Sequence, residues 1–190
     1  MDKSVLISIR PEWCELIASG EKTIEVRKTR PKLETPFKCY IYATKPKTYS
    51  HPARIYNSFI MPESGECGSG KVIGEFVCDR IDEYTFSNLE AEYRINDIDI
   101  AKTCLNHPEL IEYGKGKPLY GWHISELKIY DKPKELWQFL IKGERDSGCV
   151  REGDCSDCPN CVMVHDDYVE WDCRDYELKP LTHPPQSWCF

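Results

Sequence analysis

The residues best suited to chemistry stand close together near the start of the chain, in Gly20-Glu21-Lys22-Thr23-Ile24-Glu25-Val26-Arg27. Lys22 offers a compact positive charge that can meet a phosphate or an oxyanion, or act as a base once stripped of water. Glu25 can accept hydrogen bonds from the edge of a nucleobase or take part in proton transfer. Arg27 offers a planar fork of N–H donors that grips phosphate in a bidentate manner or stacks on a base. The plainer reading of the same three residues is a structural ion network, which at a protein surface contributes only ~0–1 kcal/mol. The positive run continues through Arg27-Lys28-Thr29-Arg30-Pro31-Lys32. Such a run is ordinarily a solvated loop; beside a groove, Lys28 and Arg30 would follow a nucleic-acid backbone.

The flanking pattern says what must position these groups. Val5-Leu6-Ile7-Ser8-Ile9 reads as a strand, ended near Pro11. Pro11 to Gly20 reads as a short helix, with proline and acids in its first turn and glycine at its C-terminal cap. Trp13, Leu16 and Ile17 fall on one face of it, which makes Trp13 a core residue before it is a stacking platform. Thr23 to Arg27 alternates at period two. Ile24 and Val26 then turn to the core, and Thr23, Glu25 and Arg27 turn the other way, toward a groove. Phe37–Ala43 and Lys71–Ile81 are further strands. Residues 44–70, rich in proline and glycine, form a long excursion with a helical piece around Ala53 to Phe59. A helix is expected around Asn88–Ile95. Leu119 to Tyr130 reads as one long strand or a bent pair, followed by a short helix over Lys134 to Leu140. Tyr40, Tyr42, Tyr120 and Trp122 are candidates for base stacking, with core packing the commoner job for such residues. His123 reads as structural.

The chain has 190 residues, 41% of them hydrophobic, and a net charge of −7. That balance excludes a uniformly basic nucleic-acid binder. The charge is uneven, though: residues 1–54 carry eleven Lys/Arg against six Asp/Glu, or +5, and residues 55–190 carry fourteen against twenty-six, or −12. No stretch approaches the ~20 apolar residues of a membrane-spanning helix, and no signal peptide is read at the start. The expected location is therefore the cytoplasm, with no membrane partner. Six of the eleven cysteines lie in the last 48 residues. Cys149, Cys155, Cys158 and Cys161 fall within thirteen residues in overlapping C-x-x-C steps, a spacing that suits one tetrahedral ion. The expectation is a structural zinc ion on these four, with Cys173 able to replace Cys149 and with His165 and Cys189 spare. An iron–sulfur cluster or free thiols are the alternatives. The closing Pro-Pro segment, with Trp188, is expected to dock back on the main domain.

Lys22, Glu25 and Arg27 fit the pattern G-x-K-x-x-E-x-R, set between a strand, a short helix ending in glycine and a second strand. In this the chain resembles the ASCH family, a relative of the PUA-like barrels, over roughly residues 3–132. Gly74-Glu75-Phe76-Val77 and Tyr120-Gly121-Trp122-His123-Ile124 resemble that barrel's later strands. The resemblance implies an α+β protein: a small mixed β-barrel over 1–132 with short flanking helices, and a cysteine-rich extension over 133–190. It implies binding of RNA or a modified nucleotide through Lys22, Glu25, Arg27, Lys28, Arg30, Tyr42 and Trp122. Some small members are amidohydrolases acting on N4-acetylated cytidine, with Lys, Thr and Glu in catalytic roles. That implies an alternative in which Lys22 and a glutamate are acid–base groups. Glu25 stands where those enzymes have their threonine, while Thr23 points elsewhere. Glu90 and Glu92 lie in the region of their catalytic glutamate.

Overall fold

A computed structural model describes residues 4–46, 58–89, 91–142, 161–163, 171–173, 178–185 and 188–189. Two compact units emerge: Met1–Glu135 together with Pro184–Phe190, and Leu136–His183.

The first unit begins as expected with β1 (Val5–Ile9), α1 (Pro11–Ala18), β2 (Ile24–Arg27) and β3 (Phe37–Ala43). After the excursion come the long β4 (Val72–Tyr84), the two-residue strands β5 (Phe86–Ser87) and β6 (Glu92–Tyr93), α2 (Asp97–Thr103), α3 (His107–Gly114) and the long β7 (Leu119–Lys134). A last strand, β12 (Trp188–Cys189), pairs with β1. The main sheet runs β12-β1-β3-β4-β7-β2, with β1 and β3 parallel and the other pairs antiparallel. Strands β4 and β7 pair along most of their length but shift register three times. Bulges of this kind bend and over-twist a sheet. At one of them, a Cβ on Gly74 would stand 2.5 Å from the carbonyl oxygen of Lys128, so only glycine lets the strands approach.

The expected closed barrel is not what forms. Among the described residues the sheet is open, with β12 and β2 as its edges. What spans the gap is a side chain: Arg27 Nη2 on β2 donates to the carbonyl of Ser8 on β1. Register fixes which residues face inward. Ile7, Ile41 and Gly74 sit side by side across β1, β3 and β4, and Cys39 stands beside Phe76. On β2, Glu25 lies opposite the fully buried Trp122 and Arg27 opposite Tyr120. Val26 turns the other way, into a second core with Tyr84, Tyr93, Leu110 and Leu119 beneath α2 and α3. The alternation read from the sequence therefore holds, but β2 is covered on both faces.

Where a helix was expected around Asn88–Ile95, the described residues hold β6, paired antiparallel with β5, and Ala91 at φ 53°. The helices lie just after it. Asn96 caps α2 by accepting from the Asp99 amide at 2.8 Å, and Asn106 forms a reciprocal capping box with Glu109 on α3. Of the excursion, residues 47–57 lie outside the described residues, and so does most of the expected helical piece. No helix of the described residues is long and apolar enough to cross a membrane.

The second unit holds a 3-10 turn (Leu136–Gln138) where a longer helix was expected, then β8 (Leu140–Lys142), which pairs with β11 (Leu178–Pro180). β9 (Cys161–Met163) pairs antiparallel with β10 (Trp171–Cys173).

The opposite face of the main sheet carries one titrating contact of note. The Tyr130 hydroxyl donates to Glu75 at 2.7 Å and Lys38 stands 3.3 Å from its other oxygen. The Tyr130 bond foremost, against partial burial and aided by Lys38, holds the Glu75 carboxyl below its ordinary range. A carboxyl depressed in the folded state contributes fully above its unfolded value, ~4.3, and loses that contribution as pH falls from there through its lower folded value. Tyr130→Phe is accordingly expected to cost about 1 kcal/mol at pH 7. The difference from wild type should shrink as the pH drops below about 4, in urea unfolding curves taken at both ends. A difference that stayed constant would detach the effect from Glu75.

Candidate nucleotide site

Each member of the charged cluster is placed by a different local device. After α1, Gly20 adopts φ 80° and the Lys22 amide donates to the Leu16 carbonyl at 2.9 Å, so the turn folds back under the helix. That aims the Lys22 ammonium at the carbonyl of Thr103, the last residue of α2, at 2.5 Å. Alternation on β2 aims Glu25 and Arg27 into the concave side of the sheet. The result is a compact network: Lys22 Nζ lies 3.4 Å from Glu25 Oε2, and Arg27 Nε lies 3.1 Å from Glu25 Oε1. Arg27 Nε makes no aligned hydrogen bond despite that distance, so this contact is coulombic. Relative exposures of 2%, 6% and 9% for Lys22, Glu25 and Arg27 set the cluster apart from a surface ion pair.

The cluster forms one wall of a cavity of about 470 Å³. It lies between the C-terminal end of β1 and β2. Ser8, Ile9 and Arg10 contribute from the end of β1, Thr44 and Lys45 from the chain just past β3, and Leu105 and Tyr113 from the α2–α3 region. Trp13 completes it, its ring 5.0 Å from Lys22 Nζ. Four cations (Arg10, Lys22, Arg27, Lys45) face one carboxylate (Glu25), a local balance of +3 in a chain of −7. Arg10 and Lys45 are exposed, so the floor is buried and charged while the rim is basic and wet. Cys14 lies behind this wall, its Sγ 3.7 Å from the Ile9 carbonyl. Burial, seconded by the charge of Glu25, pushes its thiol well above the ordinary range, which makes it a packing group and no nucleophile.

The other residues singled out from the sequence are distributed differently. Trp122 is fully buried and packs edge-to-face on Phe37, centroids 5.8 Å apart; Tyr42 is buried as well, and neither lines the cavity. Their strand faces inward, where an aromatic ring fills volume. Lys28 and Arg30 are exposed and outside the lining; Lys28 Nζ sits 4.6 Å from the Tyr113 ring. His123 bonds to Asp82 at 2.7 Å and lies 3.0 Å from Arg80, away from the cavity. Glu92 lies on β6, 3.9 Å from His107, and Glu90 lies outside the described residues.

Trp13 and Tyr113 are the aromatic walls, and the sequence pointed to neither. Trp13 was expected in the core because it shares a helical face with Ile17. The buried stripe of α1 is instead Cys14 and Ile17, one position round, which leaves Trp13 half-buried at the cavity. Tyr113 follows from recognising α3, whose signal was the Asn106-x-x-Glu109 capping box. Of the expected metal ligands, Cys149, Cys155 and Cys158 lie outside the described residues. Cys161 and Cys173 stand directly opposite each other in the β9–β10 register. Among the described residues no group of three or more His, Cys, Asp or Glu is placed to hold a metal ion.

An open mixed sheet with a cavity against its charged edge strand β2, which short helices cover, defines the class of fold. The chain belongs to the ASCH domain family, whose model matches residues 7–141. Among solved structures it is similar to ASCH from Zymomonas mobilis, at 21% identity and a TM-score of 0.47, covering 70% of this chain and 74% of that one. Two single-substitution variants of that protein match alike, each at 20% identity, with TM-scores of 0.46 and 0.47; they cover 70% and 71% of this chain and 76% and 75% of theirs. No curated protein matches.

Proposed function

We propose that this protein binds a nucleotide, free or as one unit of an RNA strand, with the base inside the cavity and the phosphate at its basic rim. The observation that carries this reading is the buried Lys22–Glu25–Arg27 cluster opening on a cavity flanked by Trp13 and Tyr113. Its volume falls within the ~300–1,000 Å³ typical of small-ligand sites. That is room for one base and sugar, and not a trough for a strand. Aromatic rings suit a base face, fixed charged groups suit a base edge, and the local excess of positive charge favours an anionic ligand. The family's association with RNA points the same way.

Binding fits Lys22 better than hydrolysis does. A lysine acting as a base must present a free lone pair to the substrate. Here Nζ donates to the Thr103 carbonyl while resting against Glu25 and the Trp13 ring.

Titrating a single-stranded RNA hexamer at two salt concentrations tests the reading. Wild type is expected to bind more weakly as salt rises. Arg10→Ala/Lys45→Ala should lose about tenfold in affinity at low salt and flatten the log–log slope by ~0.7 for each phosphate contact removed. Binding indifferent to salt and to Arg27→Ala would count against the proposal. Turnover of N4-acetylcytidine that vanishes in Lys22→Ala would replace it with the hydrolytic alternative.

A further inference from the structure

The charged cluster has an order as well as a charge. Glu25 stands in the middle, with Lys22 on one carboxylate oxygen and Arg27 on the other. A carboxylate offers about four acceptor positions, so after these contacts each oxygen keeps one for a ligand. Lys22 has three N–H groups; one goes to the Thr103 carbonyl, and Nζ lies 3.4 Å from Glu25 Oε2 and 5.0 Å from the Trp13 ring centroid. Arg27 has five; one goes to the Ser8 carbonyl and Nε lies against Glu25. The wall thus presents donor, acceptor, donor to whatever edge meets it.

From this order we infer that the pocket selects a base with an acceptor–donor–acceptor edge, the imide of uracil, thymine or pseudouridine. The inference rests on the nucleotide-binding reading and specifies it. Uracil turns two carbonyl oxygens toward the two cations and its N3–H toward the carboxylate. Cytosine and adenine put a ring-nitrogen lone pair at the central position, against the negative charge of Glu25. Guanine satisfies the centre with N1–H but sets its exocyclic amino group against the second cation. Every base but the imide leaves a buried group facing its own kind, and sites that hydrogen-bond their ligand discriminate most strongly in that way. Trp13 and Tyr113 hold the ring without reading it, because stacking is tolerant of base identity.

The test is calorimetric titration of the whole chain with the four ribonucleoside 5′-monophosphates and N3-methyluridine monophosphate, and with U6 and C6 oligonucleotides. Uridine monophosphate is expected to bind at least about tenfold more tightly than the cytidine form. N3-methylation, which deletes the central donor, should weaken binding by roughly tenfold to a hundredfold. Glu25→Gln, which puts a donor beside the acceptor at the centre, should erase the preference for uridine over cytidine. A U6 complex much tighter than the monophosphate would assign the natural ligand to a strand, and equal affinity to a free nucleotide. Cytidine binding as well as uridine, or N3-methylation without effect, would overturn the imide inference and leave nucleotide binding intact. Failure of every nucleotide and oligomer to bind would remove the underlying reading as well. The N3-methyl comparison uses wild-type protein and so does not depend on a variant folding.

Discussion

Glu25→Ala is expected to lower unfolding free energy by about 3–5 kcal/mol, measured by urea denaturation followed through tryptophan fluorescence. The magnitude comes from what the substitution leaves behind. Lys22 and Arg27 are both at least nine-tenths buried, and Glu25 is the carboxylate between them. Without it two desolvated cations face each other, with the Thr103 and Ser8 carbonyls and the Trp13 ring as neutral partners. Domains of this size are stable by about 5–15 kcal/mol, so the loss is a large share of the whole. Glu25→Gln keeps an acceptor and the shape, and should cost clearly less. Replacing all three, as Lys22→Met/Glu25→Leu/Arg27→Met, should restore stability toward wild type while abolishing ligand binding, because a buried ion network gains little over well-packed apolar groups of like volume. That pairing of outcomes would locate the reason for the cluster in recognition. A Glu25→Ala cost under about 1 kcal/mol, the value of a surface pair, would mean that water reaches the cluster and that the wall is not desolvated.

The sequence disclosed the Lys22–Glu25–Arg27 cluster more fully than the architecture around it, and it named Lys28, Arg30, Tyr42 and Trp122, which do not line the cavity. Period-two alternation assigned Glu25 and Arg27 to one face of β2 and Val26 to the other, since alternation is a local property that the pleat enforces. It was silent on what covers each face. Both are covered, one by α2 and α3 and the other by the curl of the sheet, because burial depends on contacts distant in sequence. The two helices were not read from the sequence, which put one helix at Asn88–Ile95 instead; their caps were the local signal that could have found them. With seven and eight residues, and few apolar positions, they carry almost no periodic signal, while Asn96-x-x-Asp99 and Asn106-x-x-Glu109 state their starts plainly. The open seam was hidden for a similar reason. The curl of a sheet depends on bulges such as the register shifts between β4 and β7, and nothing in an isolated strand sequence announces a bulge. The aromatic residues were the hardest to place. Tyr42 and Trp122 lie on strands whose partners decide inside from outside, and Trp13 missed the buried stripe of α1 by a single position of helical phase.

The two tryptophans that the sequence could not sort give the sharpest remaining contrast. Trp122→Ala is expected to destabilise the protein by about 3–5 kcal/mol. Its side chain is fully buried, packs edge-to-face on Phe37 and sits opposite Glu25 in the β2–β7 register, so its removal opens a void beneath the charged wall. Trp13→Ala should behave in the opposite sense. Its ring is half-buried at the cavity and rests on Lys22. Truncation should therefore cost little in unfolding free energy but, at ~1–3 kcal/mol for a lost stack, weaken nucleotide binding by roughly tenfold to a hundredfold. Measured together, by urea unfolding and by titration of whatever protein stays folded, the two variants separate scaffold from site. If Trp13→Ala lost as much stability as Trp122→Ala and the surviving folded fraction bound normally, Trp13 would belong to the core. The cavity would then lack one of its two aromatic walls, and the cation at Lys22 would have to hold a base edge without a ring beside it.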